Sequence, residues 1–482
     1  MLELLKEKSA YIITALLIII GFITNPELYY VYLFCIVLLG LIYKKFNGDL
    51  RKNYYYVTLM LALTGYNLKV PLGNRFGIYY FTIILFSYFV ILLLDIISKK
   101  ENIDFRALLK NKYALFLIIF IVYMIVSILW SENKKFSIIS IYNYANMIGF
   151  LIMVIVENKS REELGKTTRL LIAIYTGMLI LGLLQILNID LGIRNCYREI
   201  KDLNLNDPIY SYLKRIPTVF FYNPNNYAFV LGVALIFIFP LIIFSKDKKE
   251  RVFLIILYIM STIQIIFTRC RTAWITVFIV LGVLLLIALI IKNKKCIVHC
   301  LVFITISWGT IYGLSFIPQM SPFYGKIDRT PIINNNKYNE KVEMGSKNSM
   351  SRRYTLMYDV VKGVILEKNI HGFGAGNIGN YILKQNNTYG TIAVHCLWLE
   401  ILGDFGIFIL FYFIFICISL FVSLFINAYK LGLNRCNYGA LGAGISIALL
   451  VFAPSSVTAF IPFWLSLALI YSIYENRKAL GE

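Results

Sequence analysis

A chain of 482 residues that is 59% hydrophobic and 16% aromatic, with a mean hydropathy of +0.72, carries more apolar surface than a soluble globular protein can bury. Its formal net charge of +21 sits in short Lys and Arg clusters between apolar segments rather than on one basic domain, which argues against nucleic acid as a partner. The expected class is an all-α polytopic membrane protein whose surroundings are the lipid bilayer. Residues 10–24 lack a small-residue cleavage site, so no cleavable signal peptide is expected.

In chain order, apolar segments of spanning or near-spanning length fall at roughly 9–24, 28–43, 54–70, 77–97, 113–130 and 136–156. Further segments follow at roughly 170–187, 227–245, 252–268, 272–291, 296–317, 396–427, 438–453 and 456–474. They predict about 12–14 transmembrane helices: N-terminal ones within 1–187, others within 227–317, and C-terminal ones within 395–482. Two extracytoplasmic loops, 188–226 and the larger 318–394, separate these groups. The stretches Lys44 to Lys52, Lys99 to Lys112, Lys159 to Arg169, Lys246 to Arg251 and Lys292 to Lys295 are rich in basic residues and fall on one side. By the bias of Lys and Arg toward the cytoplasm, that side is inside. Both termini are then cytoplasmic, and Arg271, Arg353 and His395 lie together on the outer face.

The first long loop ends in KRIPTVFFYNPNNYAFV. Asn favours turns and caps while Pro excludes helix from the residue before it, so Asn-Pro-Asn reads as the entry to a helix. Lys214, Arg215 and Asn225 are candidates for binding an anionic substrate there. Next, TRCRTAWI at 268–275 places Arg269 and Arg271 between two apolar helices with almost no loop. A guanidinium close to hydrocarbon costs several kcal/mol, roughly 3 on insertion scales, unless it faces a polar cavity or snorkels to the surface. Arg271 therefore requires either a polar site or snorkelling.

The second long loop opens on a polar stretch rich in Asn, Lys and Ser that has no helical pattern before Ser351 and is expected to be mobile. From Ser351, the residues Tyr354, Met357, Tyr358, Val361, Val364 and Ile365 recur at helical spacing and predict an amphipathic helix, with Asp359, Lys362 and Lys368 on its other side. Ser349 or Ser351 as N-cap puts Arg352 and Arg353 in the first turn, where the positive helix end disfavours cations. Two guanidiniums beside free N–H groups suit a phosphate or pyrophosphate, and the alternative is two arginines at a membrane surface. HGFGAGN at 371–377 then supplies a flexible turn, and His395 stands at the threshold of an apolar run, as a solvated cap or as a general base. In VFAPSSVTAF at 451–460, Pro and Ser predict a break or a short hairpin within the membrane among the last helices.

The eight cysteines contain no C-x-x-C, the three histidines have no metal-ligand spacing, and no D-x-D pair occurs in the external loops. No metal and no cofactor are expected.

Arg271 with small Ala273, then Arg353 on an amphipathic helix, then G-F-G-A-G, then His395 followed by L-W-L-E-I-L-G-D-F-G-I resembles the O-antigen ligase and Wzy-type polymerase superfamily. The resemblance spans about Thr218 to Ile407, with Cys270 where serine is usual and Cys396 where asparagine is usual. It implies a polytopic glycosyltransferase that takes a polyprenyl-pyrophosphate-linked glycan donor and a glycan or lipid-linked acceptor, alongside other polysaccharide-assembly membrane proteins. Arg271 and Arg353 would hold the pyrophosphate, His395 would act as base, and Arg352, Arg269, Arg215, Lys214 and Asn225 would assist binding. Polymerase is the preferred reading, ligase the alternative, and a lipid-linked oligosaccharide flippase the more distant one; midplane charges and internal repeats, which favour a transporter, are not evident.

Overall fold

The computed structural model describes residues 8–46, 48–64, 68–72, 76–98, 105–193, 196, 213, 215–315, 349–454, 456 and 458–477. Lys214 and the polar stretch 318–348 lie outside the described residues. Every one of the fourteen expected segments coincides with a helix. In order these are α1 (Ser9–Thr24), α2 (Tyr29–Lys45), α3 (Leu50–Thr64), α4 (Tyr80–Ile97), α6 (Lys112–Val126), α7 (Lys134–Glu157) and α8 (Arg161–Ile186). Then come α9 (Pro224–Phe244), α10 (Lys248–Phe267), α11 (Arg271–Ile290), α12 (Lys294–Ser315), α15 (Leu397–Leu431), α16 (Arg435–Leu450) and α17 (Ile461–Glu475). The short α5 (Phe105–Lys110), and α13 (Ser349–Val361) and α14 (Ile378–Gln385) of the second loop, complete the set.

Ten described helices are long and apolar enough to cross a membrane, so the chain is a multi-pass membrane protein. The other four segments form α1, α3, α16 and α17, of 15 or 16 residues. At about 1.5 Å per residue such helices span roughly 24 Å, short of a hydrocarbon core of about 30 Å. A small antiparallel hairpin, β1 (Lys69–Leu72) with β2 (Phe76–Tyr79), follows α3 where the sequence suggested continued helix. Pro71 explains the change, since it cannot continue a helix and sets its neighbour extended.

α9 is the central helix. Apolar all round, it buries 17 of its 21 residues and packs on α10, α11 and α16. Gly442 permits the closest of these approaches, because a Cβ placed there would come to 2.6 Å of Ile236.

The bundle has two chemically different ends. At one, Arg51 pairs with Glu157 at 2.7 Å, Lys52 pairs with Glu163, and Asn476 donates to the Asn158 carbonyl at 2.7 Å, so several of the basic connections meet. At the other, Gln185 Oε1 accepts from the amides of Thr218 and Val219 at 3.0 and 2.9 Å, tying the C-terminus of α8 to the first loop. Arg353, His395 and the break between α16 and α17 belong to that second end.

Two local expectations are corrected. α13 begins at Ser349, so neither Ser349 nor Ser351 is its N-cap, and Arg352 and Arg353 follow the first turn rather than occupy it. The inward face of α13 and of the π-helical turn Lys362–Leu366 that follows it consists of Leu356, Val360 and Val364 with Ser351, Thr355 and Asp359, whereas Tyr354, Tyr358, Val361 and Ile365 are exposed. Apolar periodicity locates a core only when the outside is water. In a membrane protein the outward face can be apolar too, so a stripe of Tyr and Val does not distinguish inward from outward.

Candidate active site

Packing of α13 places the central arginine. Leu356, Val360 and Val364 meet Ile378, Ile382, Val394, Cys396 and Leu402, which fixes α13 over the entry to α15. Arg353, half-buried as a result, lies close enough to both the Cys270 thiol and His395 to act on them electrostatically. Burial disfavours its cation, and no ion pair to a carboxylate exists for it among the described residues. A partly desolvated guanidinium is stabilised when an anion lies beside it.

His395 is the second element of the site. Its backbone has φ of +60°, in the left-handed region that is uncommon for a non-glycine residue and is often held at functional sites. The N-cap of α15 is Cys396, so His395 stands one residue outside the helix rather than capping it. Burial first, and then the Arg353 charge, push the imidazole down to about 4, while a hydrogen bond from the ring to the Pro454 carbonyl acts the other way. Nδ1 is buried without a partner, which assigns that bond to Nε2 and leaves the Nδ1 lone pair as the free acceptor.

The break 451–460 organises this end. α16 stops at Leu450 and α17 resumes at Ile461. Between them, Pro454 meets His395, the Thr458 hydroxyl approaches Glu400 at 3.5 Å, and Phe460 packs edge-on to Phe221 and Phe229. The Asn-Pro-Asn entry is thereby joined to the same hub. Asn223 is the N-cap of α9, accepting from the Asn225 amide at 2.8 Å, with Asn225 itself half-buried in the first turn.

The remaining candidates surround this centre unequally. Arg271 is the first residue of α11, exposed, and directly follows buried Cys270. Arg269, with φ of +57°, is half-buried and has contacts of its own. Arg352 donates to Thr391 Oγ1 at 3.3 Å and lies over the Tyr389 ring at 5.6 Å, joining α13 to the segment after α14. Arg215 is exposed in the first loop.

HGFGAGN, expected to be a flexible turn, is locked. Gly372, Gly374 and Gly376 all have positive φ, as does Gly406, where α15 kinks. The Phe373 and Gly374 amides donate to the Gly403 and Asp404 carbonyls at 2.8 Å, and Ile407 donates to the Ile370 carbonyl at 3.0 Å. Asp404, buried, accepts from Ile378 and Gly376 amides at 3.0 and 2.9 Å and so anchors the start of α14. Asn377 fixes the other side, donating to Ser137 Oγ at 2.9 Å and accepting from the Asn133 amide at 2.8 Å. Asp404, Glu400 and Pro454 were not among the sequence candidates. An ionisable residue within an apolar run is the signal that could have found the two acids.

Below this end, an apolar cavity of about 560 Å³ runs between α6, α7, α15 and α17, from Leu397 and Trp464 down to Leu420 and Tyr471. Leu397, which lines it, is two residues from His395.

Residues 256–414 match the O-antigen ligase family. That stretch holds Arg271, Arg353 and His395, and the superfamily read from the motifs is supported there. Over a longer span the chain is 21% identical across 442 residues to the teichuronic acid biosynthesis protein TuaE of Bacillus subtilis (strain 168), covering 86% of this chain and 82% of that one. The two findings together support a membrane role in polysaccharide polymerisation or ligation.

Proposed function

We propose that the protein polymerises polyprenyl-pyrophosphate-linked oligosaccharide repeat units into a cell-surface polysaccharide on the outer face of the cytoplasmic membrane. The observation that carries this reading is the pairing of Arg353, a half-buried cation with no carboxylate, with His395, a neutral imidazole whose Nδ1 is free. Likeness to a teichuronic acid biosynthesis protein favours polymer synthesis over transfer to a lipid core.

In the proposed reaction the polyprenyl chain lies in the cavity beside Leu397, and Arg353 with Arg271 holds the pyrophosphate. An acceptor sugar hydroxyl attacks the anomeric carbon of the donor, its proton passes to His395 Nδ1, and the carbon–oxygen bond to pyrophosphate breaks with the electron pair leaving on phosphate. Configuration at that carbon inverts, and no metal ion takes part. Arg352, Arg269, Arg215 and Asn225 are assigned to binding of the glycan, and Lys214 joins them from its place in the sequence alone. The clustering of basic connections at the opposite end supports cytoplasmic termini, with 188–226 and 318–394 as extracytoplasmic loops.

Deletion of the gene followed by analysis of the surface glycan tests this. Loss of long chains with single repeat units remaining supports polymerisation. Finished lipid-linked polymer that never reaches its acceptor points to a ligase, and repeat units stranded on the cytoplasmic leaflet point to a flippase.

A further inference from the structure

At the end of the bundle away from His395, α8 packs on α10 and α3 but stands off from the wall formed by α9, α16 and α17. The gap is an apolar cavity of about 220 Å³ that follows α8 from Arg161 to Met178. Seventeen residues at about 1.5 Å each make it roughly 25 Å long, against a hydrocarbon half-thickness of about 15 Å. Its walls include Leu164, Leu171, Val233, Leu465 and Leu469, and it bears two cations, Arg161 and Arg435, which open α8 and α16.

Both arginines line this one cavity, together with Cys436. Neither has a carboxylate partner among the described residues. The acids beside Arg161 are committed elsewhere: Glu162 pairs with Lys166 at 2.7 Å and Glu163 pairs with Lys52. The first turn of α16 contains no acid at all. Two like charges lining one apolar slot repel, an anion between them relieves that repulsion, and an anion that carries an acyl chain fills the slot as well.

We propose that this cavity binds an anionic phospholipid, with its phosphate between Arg161 and Arg435 and one acyl chain along α8. The occupant is distinct from the glycan donor, because Arg435 is at the end of α16 opposite Pro454, the residue that meets His395. The bound lipid joins α8 to the α9, α16 and α17 wall, across which direct protein packing is sparse.

Native mass spectrometry of the full chain, purified in detergent and supplied with phosphatidylglycerol or phosphatidylcholine, tests the proposal. The parent chain is expected to retain phosphatidylglycerol at least ten-fold better than phosphatidylcholine. The double variant Arg161→Gln with Arg435→Gln, at two exposed positions, should lose that preference. Gly165→Leu is a second, uncharged test: a Cβ at Gly165 meets nothing within 4 Å, so leucine fills the slot without displacing protein and should reduce lipid retention while both arginines remain. Equal retention of the two lipids by the parent, or unchanged phosphatidylglycerol retention in both variants, overturns the proposal. So does protection by inorganic phosphate equal to that by the lipid, which would make the site one for a free anion, and so does displacement of phosphatidylglycerol by a smaller amount of polyprenyl phosphate, which would assign the slot to the carrier lipid.

Discussion

Burial holds the His395 imidazole in its neutral form, and the neighbouring Arg353 guanidinium adds to the effect. A base this weak gains strength when an anion arrives. In the proposed reaction, pyrophosphate at Arg353 would offset the charge that helps to depress His395, so the affinity of Nδ1 for a proton would rise when donor is present and a proton must be accepted. The coupling therefore links donor binding to base strength.

The pH dependence follows. With His395 near 4 in the folded protein and 6.5 as its ordinary value, the unfolded chain binds a proton between those limits that the folded one does not. Stability attributable to this residue is complete above about pH 6.5 and declines as pH falls toward 4. Transfer by the parent should show no His395-linked loss from pH 8 to about 5. In Arg353→Gln the acidic limb should move upward, while burial, the larger cause, keeps it below 6.5. A pH–rate profile of that variant superimposable on the parent's would show that the two residues are not coupled.

Arg353→Lys and Arg271→Lys should each reduce transfer by roughly ten- to a hundred-fold, because lysine keeps the charge but loses the planar fork that grips two phosphate oxygens, a charge-assisted contact of about 1.5–3 kcal/mol. Arg352→Ala should act differently. Its guanidinium is engaged with Thr391 and Tyr389, so the expected result is a looser 386–391 segment, seen as faster proteolysis, with a smaller loss of transfer. Near-parental transfer by both lysine variants would reduce the two arginines to helix anchors.

The apolar helices were legible, because a long apolar run leaves few alternatives to a spanning helix, whereas the short α5 and α14, in polar connections, were not. Individual candidates were legible where charge met hydrocarbon, as at Arg271, or where histidine met a helix start, as at His395. The inward face of α13 was not, since Tyr354 and Tyr358 are as acceptable toward lipid as toward protein, and Asp359 is buried where its hydrogen bond from Asn387 at 3.2 Å satisfies one oxygen. The rigidity of HGFGAGN was hidden for a related reason: the partners that lock it include Asp404, which accepts from Gly374 and Gly376, Ser127, which accepts from Ala375, and Asn133, which donates to Asn377, none of them near it in sequence.

Gly374 tests that rigidity. A Cβ there would overlap Ser131 Oγ and approach the Ser127 carbonyl to 2.8 Å, at a φ of +87°. Gly374→Ala should therefore lower thermal stability in detergent by more than the roughly 1–2 kcal/mol of a left-handed alanine alone. Gly390→Ala is the control: its φ is +78° but nothing lies within 4 Å. Equal shifts in the two variants would mean that close packing of the loop contributes nothing.

Asp404 separates support of the site from chemistry. Its two oxygens accept different amides, from Ile378 and Gly376, so Asp404→Asn keeps one acceptor and Asp404→Ala keeps none. Leaving a buried amide unsatisfied costs about 1–3 kcal/mol. Alanine should thus destabilise the chain more than asparagine does, with transfer falling in step with the folded fraction. Loss of transfer in a fully folded asparagine variant would instead place Asp404 in the reaction.

His395 admits the sharpest division. As a base it contributes to the step in which the acceptor proton moves, a contribution typically worth about 10² to 10⁴ in rate. It makes no demand on donor binding, which belongs to Arg353. His395→Ala should bind the lipid-linked donor like the parent and fail to transfer, whereas Arg353→Ala should weaken donor binding itself. A structural role predicts another pattern. Asn tolerates the left-handed backbone found at His395, with φ of +60°, and can donate toward the Pro454 carbonyl, but it cannot take up a proton near neutral pH. If His395 only shapes the entry to α15, His395→Asn should therefore restore transfer. Donor binding and transfer measured side by side in the alanine and asparagine variants decide the matter: transfer by the asparagine variant removes His395 as base and leaves Arg353 with the neighbouring cavity as a lipid-pyrophosphate binding surface.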